Sequence, residues 1–378
     1  ATGSHALAAG GGTLFFDMPL NAHPPTIDAE SFDKKLFAAQ KKSLVDFAFW
    51  GGLVPGNLDN LEELSERGVI GFKAFMSESG IEDFSCVDNS TLREGMKRLA
   101  KFKKIVAVHA ESDSMTKQLA AERISQNKIS GRDYLDSRPI AAELDAIRRA
   151  IEIAGETGCA LHIVHVSSGA GIELILEGKK RGVNVSCETC PHYLALTEND
   201  MEKLGAIAKC APPLRPADEQ KKLWKHFAAG NITTIGSDHS PSPPEMKTDP
   251  NFFKVWGGIS GIQHMLPILI SEGHVKRKIP LPLINKLISS NVARRFSLPQ
   301  NKGRIEIGAD ADFTVVDLKQ KFEIKSEDLF YRHRQSPYVG RLWRGKIIRT
   351  ILRGQTVFKD GKIIGKPLGR LVKPILGK

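Results

Sequence analysis

Seven short apolar runs with helical segments between them are the feature that most constrains this fold. Buried parallel strands appear in a sequence as continuous apolar runs, and a helix between two of them makes a right-handed βαβ unit. The repeat therefore predicts an α/β protein built as a TIM-like (β/α)8 barrel, which needs eight strands. The runs lie at residues 13–19, 45–51, 68–76, 105–110, 160–166, 183–189 and 232–236. Because the chain starts immediately before the first run, we expect the absent strand to be the first of the barrel.

The segments between and after these runs indicate the domain organisation. Four stretches have the pattern of helices, at residues 61–67, 91–102, 141–156 and 170–181. After Asp238 the pattern changes to a Pro-rich loop, followed by helices through Arg295. From residue 303 to about residue 364, short alternating segments separated by Gly or Asp turns are typical of a small all-β unit. We therefore predict a barrel domain over residues 1–300 and a small β-sandwich-like domain over residues 301–378, to which the N-terminal end of the chain also contributes.

The positive charge of the chain is concentrated at its C-terminal end. The formal net charge is +11 over 378 residues, and residues 341–378 hold eleven Lys or Arg against one acid, Asp360. Much of this basic tail alternates between charged and apolar residues, as strands with one solvated face do. No nucleic-acid-binding motif accompanies it. The pattern favours a solvated face or an acidic partner subunit, and we expect no nucleic-acid partner.

Cysteine usage and hydropathy indicate the compartment. Five cysteines in 378 residues are sparse and odd in number, which favours reduced thiols and a cytoplasmic protein. Cys187 and Cys190 form a CxxC pair, of the kind found in redox and zinc sites, but without a second CxxC we favour buried thiols. No run of about 18 apolar residues is present, so neither a transmembrane helix nor a membrane partner is expected. The chain starts at Ala1 without a signal peptide, and we expect it to begin inside a longer natural protein.

Polar and ionisable residues recur at the ends of the apolar runs. The active site of such a barrel lies at the carboxyl ends of its strands, so these side chains are expected to meet there. Four of the run ends offer a group that can hold a metal ion, and clustered ionisable residues at a barrel mouth mark function. The polar and ionisable residues at six of the run ends are Asp17 and Asn21, Lys73, His109 and Glu111, His162 and His165, Glu188 and His192, and Asp238 and His239. The sequence therefore predicts a metal site at this end of the barrel.

The donor types in this set suit zinc. The imidazoles of His109 and His165 are preferred Zn²⁺ ligands, and Asp238 adds an oxygen ligand. Lys73 is unusual, because an amine buried in an apolar strand must be neutral, paired or modified. Two interpretations follow: a salt bridge with a strand-end acid such as Asp17, or a carbamate whose oxygens bridge two metal ions.

Several motifs resemble those of the cyclic amidohydrolases, the family that includes dihydroorotases, hydantoinases and allantoinases. The resemblance covers nearly the whole chain. The motifs that carry it are Gly-Phe-Lys-Ala-Phe-Met around Lys73, Val-His-Ala-Glu around His109, His-Ile-Val-His-Val-Ser around His165, Gly-Ser-Asp-His-Ser-Pro around Asp238, and residues 188–194, 212–215 and 303–312. It implies the amidohydrolase type of barrel and a homotetramer.

The resemblance also implies roles for the site residues. Lys73 would be carboxylated and bridge two divalent metal ions, expected to be zinc, and His109 and His165 would hold one of them. Asp238 would bind the other ion and act as general base. Glu188 and His192 are expected to orient ligands rather than to be ligands. The family takes two more ligands from a His-x-His motif in the first barrel strand, and no His-x-His occurs in these residues.

The substrate is indicated by two loops. Residues 17–26 and 237–247 are most similar to the corresponding loops of allantoinases, which implies hydrolysis of the cyclic amide of allantoin to allantoate in purine degradation. Alternatives are a hydantoinase or dihydropyrimidinase, a dihydroorotase, and a non-catalytic homologue of these enzymes. The expected substrate contacts are Asn21, Cys210, Ser240, Gly258 and Ile259.

Overall fold

All seven apolar runs form strands, as the sequence predicts. The structure is a computed structural model that describes residues 1–375. The second run is divided at the buried Trp50 into two strands that follow each other directly. The strands of the barrel are β1 (Leu14–Asp17), β2 (Asp46–Phe49), β3 (Gly51–Gly52), β4 (Phe72–Phe75), β5 (Ile105–His109), β6 (Ala160–Ile163), β7 (Val185–Thr189) and β8 (Thr234–Ile235).

These strands pair only in parallel. β1 pairs with β2, and a six-stranded sheet runs in the order β3-β4-β5-β6-β7-β8. In β4 and β5 the register sets Lys73 beside Ala107 and Phe75 beside His109. Within residues 1–375 no ladder joins β8 to β1. Because the pairing is parallel, the carboxyl ends of the strands lie at one rim of the barrel.

Helices connect and surround the strands. Local capping explains several of their starts: Asp28 and Ser31 form a reciprocal capping box, and the side chains of Asp88 and Ser168 accept backbone N–H groups of the next helix. The helices are α1 (Thr2–Ala9), α2 (Ala29–Lys42), α3 (Leu61–Arg67), α4 (Asn89–Lys101), α5 (Asp113–Ser125), α6 (Gly131–Asp136), α7 (Ile140–Thr157), α8 (Gly169–Lys180), α9 (Pro191–Ala195), α10 (Glu198–Leu204), α11 (Ala217–Ala228), α12 (Met265–Ile268), α13 (Leu281–Asn285) and α14 (Asn291–Arg295). π-helical turns extend α12 over Leu269–Lys276 and join α13 to α14 over Lys286–Ser290. None of these helices combines the length and the apolar character needed to cross a membrane.

A four-stranded antiparallel sheet follows the barrel. Its strands, in the order β12-β11-β10-β9, are β9 (Phe313–Glu323), β10 (Leu342–Leu352), β11 (Gln355–Lys359) and β12 (Lys362–Ile363). Alternate residues of β10 are buried, as the alternation in the basic tail predicts. Helix α1 packs on this sheet through Leu7 and Ala8, which share an apolar cluster with Leu352 and Val357. Residues 376–378 of the basic tail lie outside the described part, and the domain boundary at residue 300 stays a prediction.

A buried ionic cluster ties the barrel to this sheet. The Lys302 ammonium lies 2.7 Å from Asp46 on β2, 2.8 Å from Asp310 and 2.7 Å from Asp312. Arg353 also pairs with Asp46. Three such carboxylates could hold a cation, but the Lys302 ammonium already lies among them. The cluster is therefore structural.

Candidate active site

The strand ends deliver the four predicted metal ligands to one cavity. Lys73 lies on β4, His109 ends β5, and His165 and Asp238 follow β6 and β8 by two and three residues. All four line one cavity of about 1590 Å³. The two residues outside strands have left-handed backbones, with φ of 41° at His165 and 44° at Asp238. Residues other than glycine rarely adopt this conformation, and where they do, it is often at functional sites.

His109 and His165 face each other at the distance of two ligands that share a metal ion. Nδ1 of His109 lies 3.1 Å from Nε2 of His165, and both side chains are buried. Two nitrogens that each lie about 2.0–2.1 Å from a tetrahedral zinc ion are about 3.3 Å apart. Burial is the main cause that lowers the pKa of both imidazoles, so both are neutral at neutral pH. A neutral imidazole is the form that binds a metal.

A buried ion pair orients His109. Its Nε2 lies 2.9 Å from Oε2 of Glu111, and Glu111 in turn forms an ion pair with Arg138. Burial alone would raise the pKa of Glu111, but Arg138 and the hydrogen bond with His109 lower it to about 2. An ionised carboxylate on Nε2 keeps the proton on that nitrogen and leaves Nδ1 free to bind a metal. Arg138 had no motif in the sequence, so sequence reasoning missed it.

Lys73 is buried without the partner that one interpretation gave it. Its side chain is 2% exposed, and Nζ donates to the Ala74 carbonyl at 3.1 Å and lies 3.7 Å from the centre of the Phe75 ring. Asp17 instead pairs with Lys35 at 2.7 Å, so the salt bridge between Lys73 and Asp17 is wrong. Burial lowers the pKa of Lys73 to about 7, against the opposing charges of Asp238 and Glu188. About half of the amine is therefore in the neutral form near pH 7.

Asp238 and Glu188 place two carboxylates near this amine. Burial, and then the charge of Glu188, raise the pKa of Asp238 to about 6, while Lys73 acts in the opposite direction. The Glu188 carboxylate packs directly against Gly236, because a Cβ at Gly236 would lie 2.6 Å from its Oε1. Its other oxygen lies 3.4 Å from Nε2 of His162. Glu188 is thus held beside the predicted ligands.

His192 and the cysteines lie at the periphery of this arrangement. His192 is buried against the Tyr193 ring, and within the described residues neither ring nitrogen has a hydrogen-bond partner, so its orienting role stays a prediction. Cys187 and Cys190 are buried free thiols. Burial raises the pKa of both thiols, which disfavours the thiolate that redox or zinc chemistry needs.

Four of the five expected substrate contacts line the same cavity, namely Asn21, Cys210, Ser240 and Gly258. The Asn21 amide lies 3.4 Å from the Ser240 hydroxyl, which joins the two loops that indicated the substrate. Ile259 is fully buried, and its carbonyl accepts from the Ser240 backbone N–H at 3.0 Å. Its position is therefore behind the wall of the cavity, and a direct contact with substrate stays a prediction.

Comparisons with known proteins identify the family of this chain. The model of the Amidohydrolase family matches residues 1–357. An allantoinase of Rubrobacter xylanophilus is 54% identical over 99% of this chain and 82% of its own length, and an allantoinase of Deinococcus radiodurans is 50% identical over 99% and 83%. Among solved structures, an L-hydantoinase (dihydropyrimidinase) from Arthrobacter aurescens superposes with a TM-score of 0.96 at 32% identity, over 98% of this chain and 83% of that one. A dihydropyrimidinase from Brevibacillus agri gives 0.92 at 29% identity, over 100% and 84%. The chain therefore belongs to the amidohydrolase family, with the barrel and the C-terminal β-sheet that its sequence predicts.

Proposed function

We propose that this protein hydrolyses the cyclic amide of allantoin to allantoate with a binuclear zinc centre. The observation that carries the proposal is the buried pair of His109 and His165 nitrogens, 3.1 Å apart, in one cavity with Lys73 and Asp238. It occurs in a chain half identical to proteins named allantoinase over nearly its whole length. This combination supports both the proposed chemistry and the proposed substrate.

The side chains fit the metal ions. His109 and His165 present neutral nitrogens for one ion, Asp238 presents an oxygen for the other, and a carbamate on Lys73 would bridge the two. The neutral Lys73 amine can form a bond to the carbon of CO2 and release a proton, which leaves a carbamate with two donor oxygens. When bound, the metal ions lower the pKa of a water molecule and polarise the amide carbonyl.

Asp238 is placed to move the proton of the reaction. Its carboxylate accepts a proton from the attacking water and then gives it to the ring nitrogen that leaves as the C–N bond breaks. Glu111 holds the His109 ring in one tautomer throughout. Asn21 and Ser240 reach the same cavity from two loops, and they position the ring and its substituent through hydrogen bonds.

A second candidate is hydrolysis of a hydantoin or dihydropyrimidine ring. The observation in its favour is the superposition on the L-hydantoinase and dihydropyrimidinase structures. Their identities of 32% and 29% lie well below those of the two allantoinases, 54% and 50%. Because the fold is shared among these activities, the higher sequence identity favours allantoin.

The proposal is tested by measuring ring-opening rates on four substrates. The assay uses the full natural protein, supplied with zinc. We expect allantoin to be opened much faster than hydantoin, dihydrouracil or dihydroorotate, and we expect Lys73→Ala to abolish turnover. Faster opening of another ring would keep the chemistry and overturn the substrate. If metal is bound but none of the four rings is opened, the proposed enzymatic activity would be refuted in favour of a non-catalytic homologue. The homotetramer, the cytoplasmic location and the absence of nucleic-acid and membrane partners stay predictions.

A further inference from the structure

Two lysines outside the predicted metal site are enclosed by backbone carbonyl groups of one loop. Nζ of Lys209 donates to the carbonyls of Phe252 at 2.6 Å, Phe253 at 3.4 Å and Val255 at 2.5 Å. The same ammonium lies 4.5 Å from the centre of the Tyr134 ring. Lys209 is therefore held by one segment of chain that begins 43 residues further on.

The second lysine holds the other end of that segment. Nζ of Lys247 donates to the carbonyls of Ala206 at 2.9 Å, Trp256 at 2.9 Å and Gly258 at 2.8 Å. Together the two lysines bind five carbonyls of residues 252–258, which we call the clamp loop. The clamp loop contains neither helix nor strand, so it has no ladder of its own to fix its position.

These contacts bind the backbone of the loop and do not pair the lysines with opposite charges. An ammonium group has three donors and no acceptor, and each lysine directs it at three carbonyl oxygens. Neither lysine has a carboxylate partner within residues 1–375, although an unpaired buried ammonium is costly. Burial lowers the pKa of Lys209 to about 7 and that of Lys247 to about 8. Burying two such ammonium groups against one loop costs free energy, and the contacts with the loop offset part of that cost.

The clamp loop is joined directly to the predicted substrate contacts. The Gly258 backbone N–H donates to the carbonyl of Lys209 at 2.9 Å, and Lys209 precedes Cys210. A Cβ at Gly258 would lie 2.5 Å from the Ser240 hydroxyl, so these two residues pack without a gap. A shift of the clamp loop would therefore move the Cys210, Ser240 and Gly258 wall of the cavity together.

We propose that Lys209 and Lys247 are positioning residues that hold the clamp loop as one wall of the active site and thereby set the affinity for the cyclic substrate. This inference rests on the proposed function for the identity of that substrate. The hydrogen bonds of the lysines go to backbone carbonyls, so the lysines act through Cys210, Ser240 and Gly258 and not on the reacting atoms. A misplacement of about 1 Å at a distance from the chemistry can reduce a rate by about a hundredfold.

Lys209→Met and Lys247→Met test the inference, and Lys254→Met, at an exposed lysine in the same loop, is the matched control for the exchange measurement. Hydrogen–deuterium exchange is measured first. The amides of Trp256 and Gly258 donate to carbonyls, and we expect both to exchange faster in the two variants while strand β5 stays protected. Steady-state kinetics of the zinc-loaded enzyme should then show KM raised by about tenfold or more with a smaller change in kcat.

The outcomes separate this inference from the proposed function. Hydrogen–deuterium exchange needs no substrate, so it tests how the lysines hold the clamp loop even if allantoin is not opened. In that case KM is measured with the ring that the enzyme opens fastest. Unchanged exchange in Lys247→Met, or faster exchange with KM and kcat both unchanged, would overturn the positioning role. If Lys209→Met fails to fold, the half-buried Lys247 carries the test alone.

Discussion

Replacing Lys302 by Met should destabilise the whole protein, because it removes the ammonium that three aspartates surround. The variant leaves Asp46, Asp310 and Asp312 facing one another, and within residues 1–375 Arg353 is the side-chain cation that remains paired with Asp46. The Lys302 and Asp46 side chains are 6% and 2% exposed, so the pair behaves as a buried one. Breaking a buried pair by removing one partner costs about 3–5 kcal/mol. We expect a loss of about 4 kcal/mol in the free energy of unfolding.

The expected change in melting temperature follows from the size of the chain. Unfolding entropy is about 2.1 cal/mol/K per residue, which for this chain gives about 0.8 kcal/mol/K. A loss of about 4 kcal/mol therefore lowers the apparent Tm by about 5 °C. Scanning calorimetry measures it, with Lys319→Met as the control because Lys319 is exposed on β9. A loss no larger than that of the control would refute the reasoning.

The pH dependence of this loss gives a second check. The pKa of Lys302 is raised: burial would lower it, but the hydrogen bonds that Lys302 donates to the three aspartates outweigh burial. Its stabilisation is complete below its unfolded pKa near 10.5 and is lost at higher pH. The pKa of Asp310 is lowered, because Lys302 outweighs burial, so its stabilisation is present above an unfolded pKa near 3.8 and is lost as pH falls below it. The difference between wild type and variant should therefore be largest between about pH 4 and pH 10 and shrink in acid.

Three further variants address the candidate site. Lys73→Ala should bind less than the wild-type amount of zinc as well as lose turnover, which metal analysis of the purified protein checks. Glu111→Gln should weaken zinc binding by about 10- to 100-fold, because the neutral amide no longer holds His109 in its tautomer, and chelator competition measures it. Gly236→Ala should reduce activity while the protein stays folded, because the new Cβ would meet Glu188 at 2.6 Å, and circular dichroism with kinetics separates the two effects.

Each of these variants has a result that would contradict the reasoning. Full zinc content in Lys73→Ala would show that the lysine is not a ligand. Unchanged zinc affinity in Glu111→Gln would show that His109 needs no orienting partner. Wild-type kinetics in Gly236→Ala would show that the position of Glu188 is not critical.

The sequence by itself determined the strands of the barrel and the chemical types gathered at its rim. Apolar runs of strand length with helices between them allow one parallel arrangement, and its carboxyl ends meet at one edge. Lys73, His109, His165 and Asp238 could therefore be assigned to one site before any contact was known. The motif around each of them also carried the family, which the matches confirm.

Only the tertiary structure decided which charged side chains meet. Asp17 pairs with Lys35, and Glu111 with Arg138, although periodicity indicated neither pair. Lys302 reaches back 256 residues to Asp46, and the loop that Lys209 holds lies more than 40 residues ahead of it. The physical reason is that the spacing of apolar residues along the chain predicts which residues are buried, and this spacing can be seen in the sequence itself. The partner of a buried charge depends on how distant segments pack, and no local pattern records that.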